Sequence, residues 1–289
     1  MFYIWRELAY NVHMNHTKNL HAPIKYFGGK ALMWKNIIAQ FPSPDYNIYV
    51  EPFSGSYTIG LHMPYIPPIE IFNDLNKNVY CLYKVLRDED LFPKFIKMVE
   101  LTPYAEDMRY DAREKLKDPN LSELDRAYWF YTANRLSING IGGFATNMLV
   151  RRGMAKSVSD FLSSIDRMPE LHERFKHLIV YNRDALELMD KYNQPNCFMY
   201  CDPPYVWSTR GATRYDIDQD DDFHKRFVDK CISSKAKILV SGYDNPIYQR
   251  LEDNGFTKVV FDVNTIDGNR NPKKKTEVLW RNYSLPDNP

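Results

Sequence analysis

The sequence predicts an α/β protein, a doubly wound and mostly parallel sheet interrupted by an inserted helical domain. Three observations predict it. Short apolar runs alternate with amphipathic helical stretches toward both ends of the chain, and several runs end in glycine-bearing or acidic turns. Between about residues 90 and 170 that alternation stops and only helical spacing remains. The chain therefore divides into a discontinuous sheet domain, 22–88 and 176–283, and a helical insert, 89–175.

Taken in order, the extended stretch APIKYFGGK at 22–30 leads into residues 31–41, where Trp34, Ile37, Ile38 and Phe41 form an amphipathic stripe. NIYV at 47–50 reads as the first strand, EPFSGS as its turn, and a short helical segment follows. IEIF at 69–72 is the second strand and ends in Asn73-Asp74; Val79, Leu82, Tyr83 and Leu86 then return to helical spacing. Phe92, Phe95, Ile96 and Val99 mark a helix of the insert, with two more near 104–117 and 122–136. Strands resume with LIVY after 177, CFMYC and AKILVSG, and TKVVFDV with TEVLW predicts a closing β-hairpin.

Composition bounds the function. With 44% hydrophobic and 15% aromatic residues in 289, the chain can bury a large core. It shows neither a secretory leader nor an apolar run of ~18 residues, so no membrane span and a cytoplasmic location are expected. Cys81, Cys197, Cys201 and Cys231 have no zinc-like spacing, which argues against disulfides and a structural metal. No ligand spacing joins the seven histidines, and His172 and His177 read as surface helix residues. The net charge of +1 is uneven, basic at RRGMAK (151–156) and NRNPKKK (269–275), acidic at DIDQDDD (216–222).

Ligands of a doubly wound sheet bind outside the carboxyl ends of its strands, and an acid ending the second strand typically holds ribose hydroxyls. Asp74 has that position. Gly28-Gly29-Lys30 opens the first helix and Phe53-Ser54-Gly55 follows the first strand, but no G-x-x-x-x-G-K-[ST] loop is present. MYCDPPYVW at 199–207 ends a strand with two prolines that donate no backbone N–H and stiffen the loop. That loop reads either as a rigid edge turn capped by Asp202, or as a set of acceptors with aromatic faces at Tyr205 and Trp207 for the amino group of a planar base.

Asp202-Pro203-Pro204-Tyr205 resembles the catalytic tetrapeptide of the amino-group DNA methyltransferases. With KYFGGK (25–30), VEPFSGS (50–56), FNDLN (72–76), ANRLSINGIGGFAT (133–146) and KKKTEVLW (273–280), in that order, the chain from about 22 to 283 resembles the Dam-type adenine-specific DNA methyltransferases. The resemblance implies the class I S-adenosylmethionine-dependent methyltransferase fold, with S-adenosylmethionine as methyl donor and no metal. It implies that Tyr26, Lys30 and Asp74 contact the donor, that Phe53 and Gly55 lie on its methionine side, and that Asp202 faces both the donor and the target amine. Asp184 falls where related folds hold the donor's adenine, and it equally reads as an N-cap of the following helix.

Catalysis is then expected from Asp202, Pro203, Pro204 and Tyr205, with the carboxylate and a proline carbonyl orienting the amine for in-line displacement. The base must leave the duplex to reach them. The helical insert is the expected DNA-recognition domain, with Asn134, Arg135, Asn139, Arg151 and Arg152 as contacts to double-stranded DNA. Lys273, Lys274 and Lys275 are candidates for phosphate contact or for a plain hairpin loop. Asp216, Asp218, Asp220, Asp221 and Asp222 argue against DNA on that segment, with Asp222 a candidate helix cap. No obligate protein partner is implied.

One departure stands out. Tyr57 occupies the place of the second glycine of the family's F-x-G-x-G turn, which puts donor affinity in question unless the loop carries Tyr57 elsewhere. Competing readings are a cytosine-N4 enzyme, a non-catalytic DNA-binding descendant, and methylation of RNA or a protein glutamine.

Overall fold

Ile48–Glu51 and Cys197–Cys201 are buried along their whole length. Such unbroken burial is what the inner strands of a parallel sheet require, since both faces are covered. In the computed structural model, which describes residues 20–26, 28–206, 219–266 and 272–285 (263–266 and 272–275 by backbone alone), they are neighbours in a seven-stranded sheet.

Its strands are β1 (Ile48–Glu51), β2 (Ile69–Asn73), β5 (Leu178–Tyr181), β6 (Cys197–Cys201), β7 (Lys237–Gly242), β8 (Thr257–Ile266) and β9 (Pro272–Arg281). β3 (Val150–Arg151) and β4 (Met154–Ala155) form a separate pair. The sheet order is β5-β2-β1-β6-β7-β9-β8. β1 pairs in parallel with β2 and β6, and β6 with β7, whereas β9 runs antiparallel to β7 and β8. The strand order thus reverses between β1 and β6, the position at which open α/β sheets bind ligands.

Two compact units share the chain. The sheet unit comprises residues 30–54, 62–75 and 181–289. Val50, Ile71, Met199, Ile238, Val240 and Trp280 of its strands pack with Leu186, Phe227 and Leu251 of its helices. Helical spacing predicted 31–41, but the helix covers only Trp34–Ile38, because the segment before it is a tight turn closed by the Met33 N–H on the Lys30 carbonyl. The helix Asp221–Ile232 is capped by Asp220, whose side chain accepts from the Phe223 N–H; Asp222, the expected cap, lies inside the first turn.

The helical unit comprises residues 1–29, 55–61 and 76–180, of which 20–26, 28 and 29 represent the first segment. The helix Lys77–Arg87, which the alternation had grouped with the sheet, packs here on Glu123–Arg135, with Lys84 Nζ 2.6 Å from Glu123. His172, read from sequence as a surface residue, is buried. Its ring stacks on Phe92 with centroids 4.1 Å apart, and Nδ1 lies 2.7 Å from the Leu86 carbonyl. His177 is exposed as expected. The helix-only reading of the insert missed β3 and β4. Arg152 and Gly153, at φ 55° and 73°, make the tight turn between them, the conformation of a two-residue hairpin loop.

Candidate active site

In the sheet unit, the turns after β1, β2 and β5 are tied by one side chain. Asn73, fully buried, donates to the carbonyls of Pro52 (2.8 Å) and Arg183 (3.1 Å) and accepts from the Arg183 N–H (3.0 Å). Its backbone exchanges bonds with Ser54, Ser54 N–H to Asn73 O and Asn73 N–H to Ser54 Oγ. The next residue, Asp74, is buried; its N–H donates to Tyr181 O and its carbonyl accepts from Asn182 Nδ2 at 2.7 Å. Asn73 was not among the site residues read from sequence, although FNDLN contains it.

Asp184 caps the helix Ala185–Lys191, its Oδ1 accepting from the N–H groups of Leu186 (2.8 Å) and Glu187 (3.2 Å), so the capping reading describes its geometry. Phe53 packs edge-on against Phe223 and Phe227, with centroids at 6.1 and 5.8 Å.

At the carboxyl end of β6, Asp202 Oδ1 lies 2.8 Å from Lys30 Nζ. Lys30, itself buried, also donates to the Tyr205 hydroxyl at 2.6 Å and lies 3.5 Å from Glu277 Oε1 on β9. The Tyr205 hydroxyl donates to Glu277, and Ser241 Oγ on β7 donates to the same oxygen at 3.0 Å. The Tyr205 ring meets Tyr243 with centroids 4.3 Å apart. Burial pushes the Asp202 carboxyl up to about 6; Lys30 pulls it down and the like charge of Glu277 adds to the rise. Burial, followed by the charges of Asp202 and Glu277, holds the Tyr205 phenol far above its usual range, so it stays a neutral donor. Glu277 and Ser241 were missed in sequence. The one signal was that KKKTEVLW carries an acid immediately before the apolar run Val278-Leu279-Trp280.

In the helical unit, Tyr26 lies against Gly55. A Cβ at Gly55, whose φ is 51°, would fall 2.9 Å from the Tyr26 ring. Tyr57 keeps the left-handed backbone expected of the missing glycine, at φ 58°, and its fully buried ring packs with Tyr83 and Phe175. The ring thus belongs to the core of the helical unit.

The DNA candidates fall into two kinds. Asn134 is buried, with Oδ1 accepting from the Lys25 N–H (2.9 Å) and Nδ2 donating to the Lys25 carbonyl (2.7 Å). Arg135 donates to the Asp160 carbonyl at 3.1 Å, and its own carbonyl takes Lys25 Nζ. Asn139 is exposed at φ 53°. Arg151 and Arg152 stand exposed at the β3–β4 turn, reaching Asp160 (2.6 Å) and Ser163 (3.1 Å). Trp207, Asp216 and Asp218 lie outside the described residues, as do the side chains of Lys273, Lys274 and Lys275.

The model of the D12 class N6 adenine-specific DNA methyltransferases matches residues 26–266. The chain belongs to that family. Among its relatives are a type II methyltransferase, M.MjaIII, of Methanocaldococcus jannaschii, 24% identical over 90% of this chain and 98% of that protein. The modification methylase StsI of Streptococcus sanguinis is 24% identical over 94% of this chain, which matches 44% of that protein. The retron Ec67 DNA adenine methylase of Escherichia coli is 22% identical over 80% of each. The largely parallel sheet is that of a class I methyltransferase, and the protein is a site-specific DNA adenine methyltransferase; the cytosine-N4 and non-catalytic readings are not favoured.

The D12 methyltransferase family implies S-adenosylmethionine as methyl donor. The side chains present fit a cationic methyl group, since the carboxylates of Asp202 and Glu277 share the ammonium of Lys30. Among the described residues no group of three His, Cys, Asp or Glu is arranged for a metal, and no helix is long and apolar enough to cross a membrane.

Proposed function

We propose that the protein methylates adenine N6 in double-stranded DNA by direct displacement, on a base turned out of the duplex and held at Asp202-Pro203-Pro204-Tyr205. The observation that carries this reading is the ion pair of the half-buried Asp202 with the buried Lys30, at the carboxyl end of β6 where the strand order reverses. Lys30 pins one carboxylate oxygen, which fixes the rotamer and directs the carboxylate as an acceptor toward the target amine.

The amine nitrogen of adenine is a weak nucleophile because its lone pair is delocalised into the ring. Hydrogen bonds from its N–H groups to Asp202 and the Pro203 carbonyl favour a pyramidal nitrogen and aim the lone pair. When bound, S-adenosylmethionine supplies a methyl group on a positive sulfur, and the carbon–sulfur pair returns to sulfur as the carbon–nitrogen bond forms. Asp202 then accepts the proton that the nitrogen sheds, a role matched to a carboxyl raised to about 6. Lys30, Phe53, Asp74 and Asp184 are the proposed donor contacts of the sheet unit. For Tyr26 and Gly55 the same ligand is proposed from the resemblance.

In the helical unit the exposed Asn139, Arg151 and Arg152 are the proposed DNA contacts. Asn134 and Arg135 act there by holding Lys25 and the loop after the helix Glu123–Arg135. The names of two relatives, a type II methyltransferase and a modification methylase, support a modification role for this chain; a cytoplasmic location and action without an obligate protein partner are proposed from the sequence.

Transfer of labelled methyl from S-adenosylmethionine to unmethylated duplex DNA, followed by nucleoside analysis, tests the reading. N6-methyladenine is expected. Label in cytosine, or none, would overturn it.

A further inference from the structure

Lys30 is one cation shared by two carboxylates that arrive from different strands, Asp202 after β6 and Glu277 on β9. With both ionised, these three side chains carry a net charge of −1. Glu277 is buried, and its Oε1 takes the Tyr205 hydroxyl and Ser241 Oγ, so its carboxylate is held in place by neutral donors. A packing role alone would be met by glutamine, which offers the same acceptor without the charge. A buried negative charge in excess of its local cation is costly unless something positive completes it.

We propose that Glu277 is a positioning residue that keeps the transfer centre one charge negative, so that the centre prefers the cationic sulfonium donor to the neutral thioether left after methyl transfer. The inference rests on the assignment of S-adenosylmethionine above. Transfer removes one positive charge from the donor, because the carbon–sulfur bond breaks with both electrons going to sulfur. The surplus carboxylate then faces no cation but Lys30 within this trio, and the spent donor loses the attraction that held its precursor.

Among the described residues, the titratable groups that interact with Asp202 are Lys30, Glu277, Tyr205, Tyr200, Tyr243, Tyr248 and Cys201. Removing the charge of Glu277 removes a cause that raises the Asp202 carboxyl. In Glu277→Gln the acid limb of methyl transfer, expected near 6 in the parent from the Asp202 carboxyl, should therefore move to lower pH.

The test is calorimetric binding of S-adenosylmethionine and of S-adenosylhomocysteine to the full chain, for the parent, Glu277→Gln and Ser241→Ala. The ratio of the S-adenosylhomocysteine to the S-adenosylmethionine dissociation constant should fall at least tenfold in Glu277→Gln, since one charge at an effective dielectric of about 20 contributes about 1.4 kcal/mol even at a separation of ~12 Å. It should stay unchanged in Ser241→Ala, which loses a hydrogen bond to Glu277 but not its charge. An unchanged ratio in Glu277→Gln, with both ligands still bound, would overturn the inference. Failure of the parent to bind either ligand would instead overturn the donor assignment, and an equal fall in Ser241→Ala would reduce Glu277 to a packing role.

Discussion

The ring of Tyr57 occupies the space that a side chain at Gly60 would need: a Cβ built on Gly60 would overlap the Tyr57 Cζ. The glycine missing from the turn at 57 has in effect a counterpart one helical turn later. Tyr57 accepts a left-handed backbone, and Gly60 makes room for its ring. Gly60→Ala is expected to destabilise the protein by about 2–3 kcal/mol through overpacking. Tyr57→Gly relieves about 1 kcal/mol of backbone strain but empties a site whose aromatic filling contributes about 3–5 kcal/mol, so it too should destabilise. Urea unfolding of the two variants measures both.

Asp202→Ala should abolish methyl transfer while the protein stays folded, as judged by circular dichroism and by retained DNA binding. Near-normal turnover would remove the carboxylate from the chemistry. The parent should show an acid limb near pH 6. The carboxyl is raised in the fold, the ionised form is the acceptor, and so the rate rises as pH climbs through 6 and falls below it.

Asp74→Ala should weaken donor binding by about 10- to 100-fold, the range for losing hydrogen bonds to a carboxylate, with DNA affinity little changed. Titration calorimetry with S-adenosylmethionine reads it. Equal affinities for variant and parent would remove Asp74 from the donor site.

Asn73→Ala leaves the Pro52 carbonyl and the Arg183 N–H without their side-chain partner. A loss of about 1–3 kcal/mol in unfolding free energy is expected. Because the same side chain braces the turns beside Asp74, donor affinity should fall as well, although Asn73 itself need touch no ligand.

Arg151→Ala with Arg152→Ala should reduce DNA affinity and lower the slope of its salt dependence by about 1 for each phosphate no longer neutralised, leaving donor affinity unchanged. Filter binding across a salt series decides it. An unaltered slope would show that neither side chain meets the phosphate backbone.

The sheet was legible because its inner strands are apolar on both faces, as in NIYV and CFMYC, and because each ends in a turn with its own chemistry. β3 and β4 were not, since two-residue strands that are largely exposed leave no periodicity to read. Of the candidate site, Lys30 and Asp202 were found through short motifs and are brought together by the fold. Glu277 and Asn73 were missed for a common reason: each acts through a partner far along the chain, 72 positions for Tyr205 and Glu277, 110 for Asn73 and Arg183. His172 was misread because a polar ring in a helix carries no local mark of the Phe92 ring that covers it.

The dispersal of the charged trio along the chain also bears on how the protein is made. Asp202 sits 172 positions from Lys30 and 75 from Glu277, so the loops that join them are long and close late. An intermediate that buried Lys30 with neither acid, or the acids without Lys30, would strand a charge in apolar surroundings. The three are therefore expected to lock together in one concerted event, which makes the proposed transfer centre a checkpoint of completed sheet assembly as well.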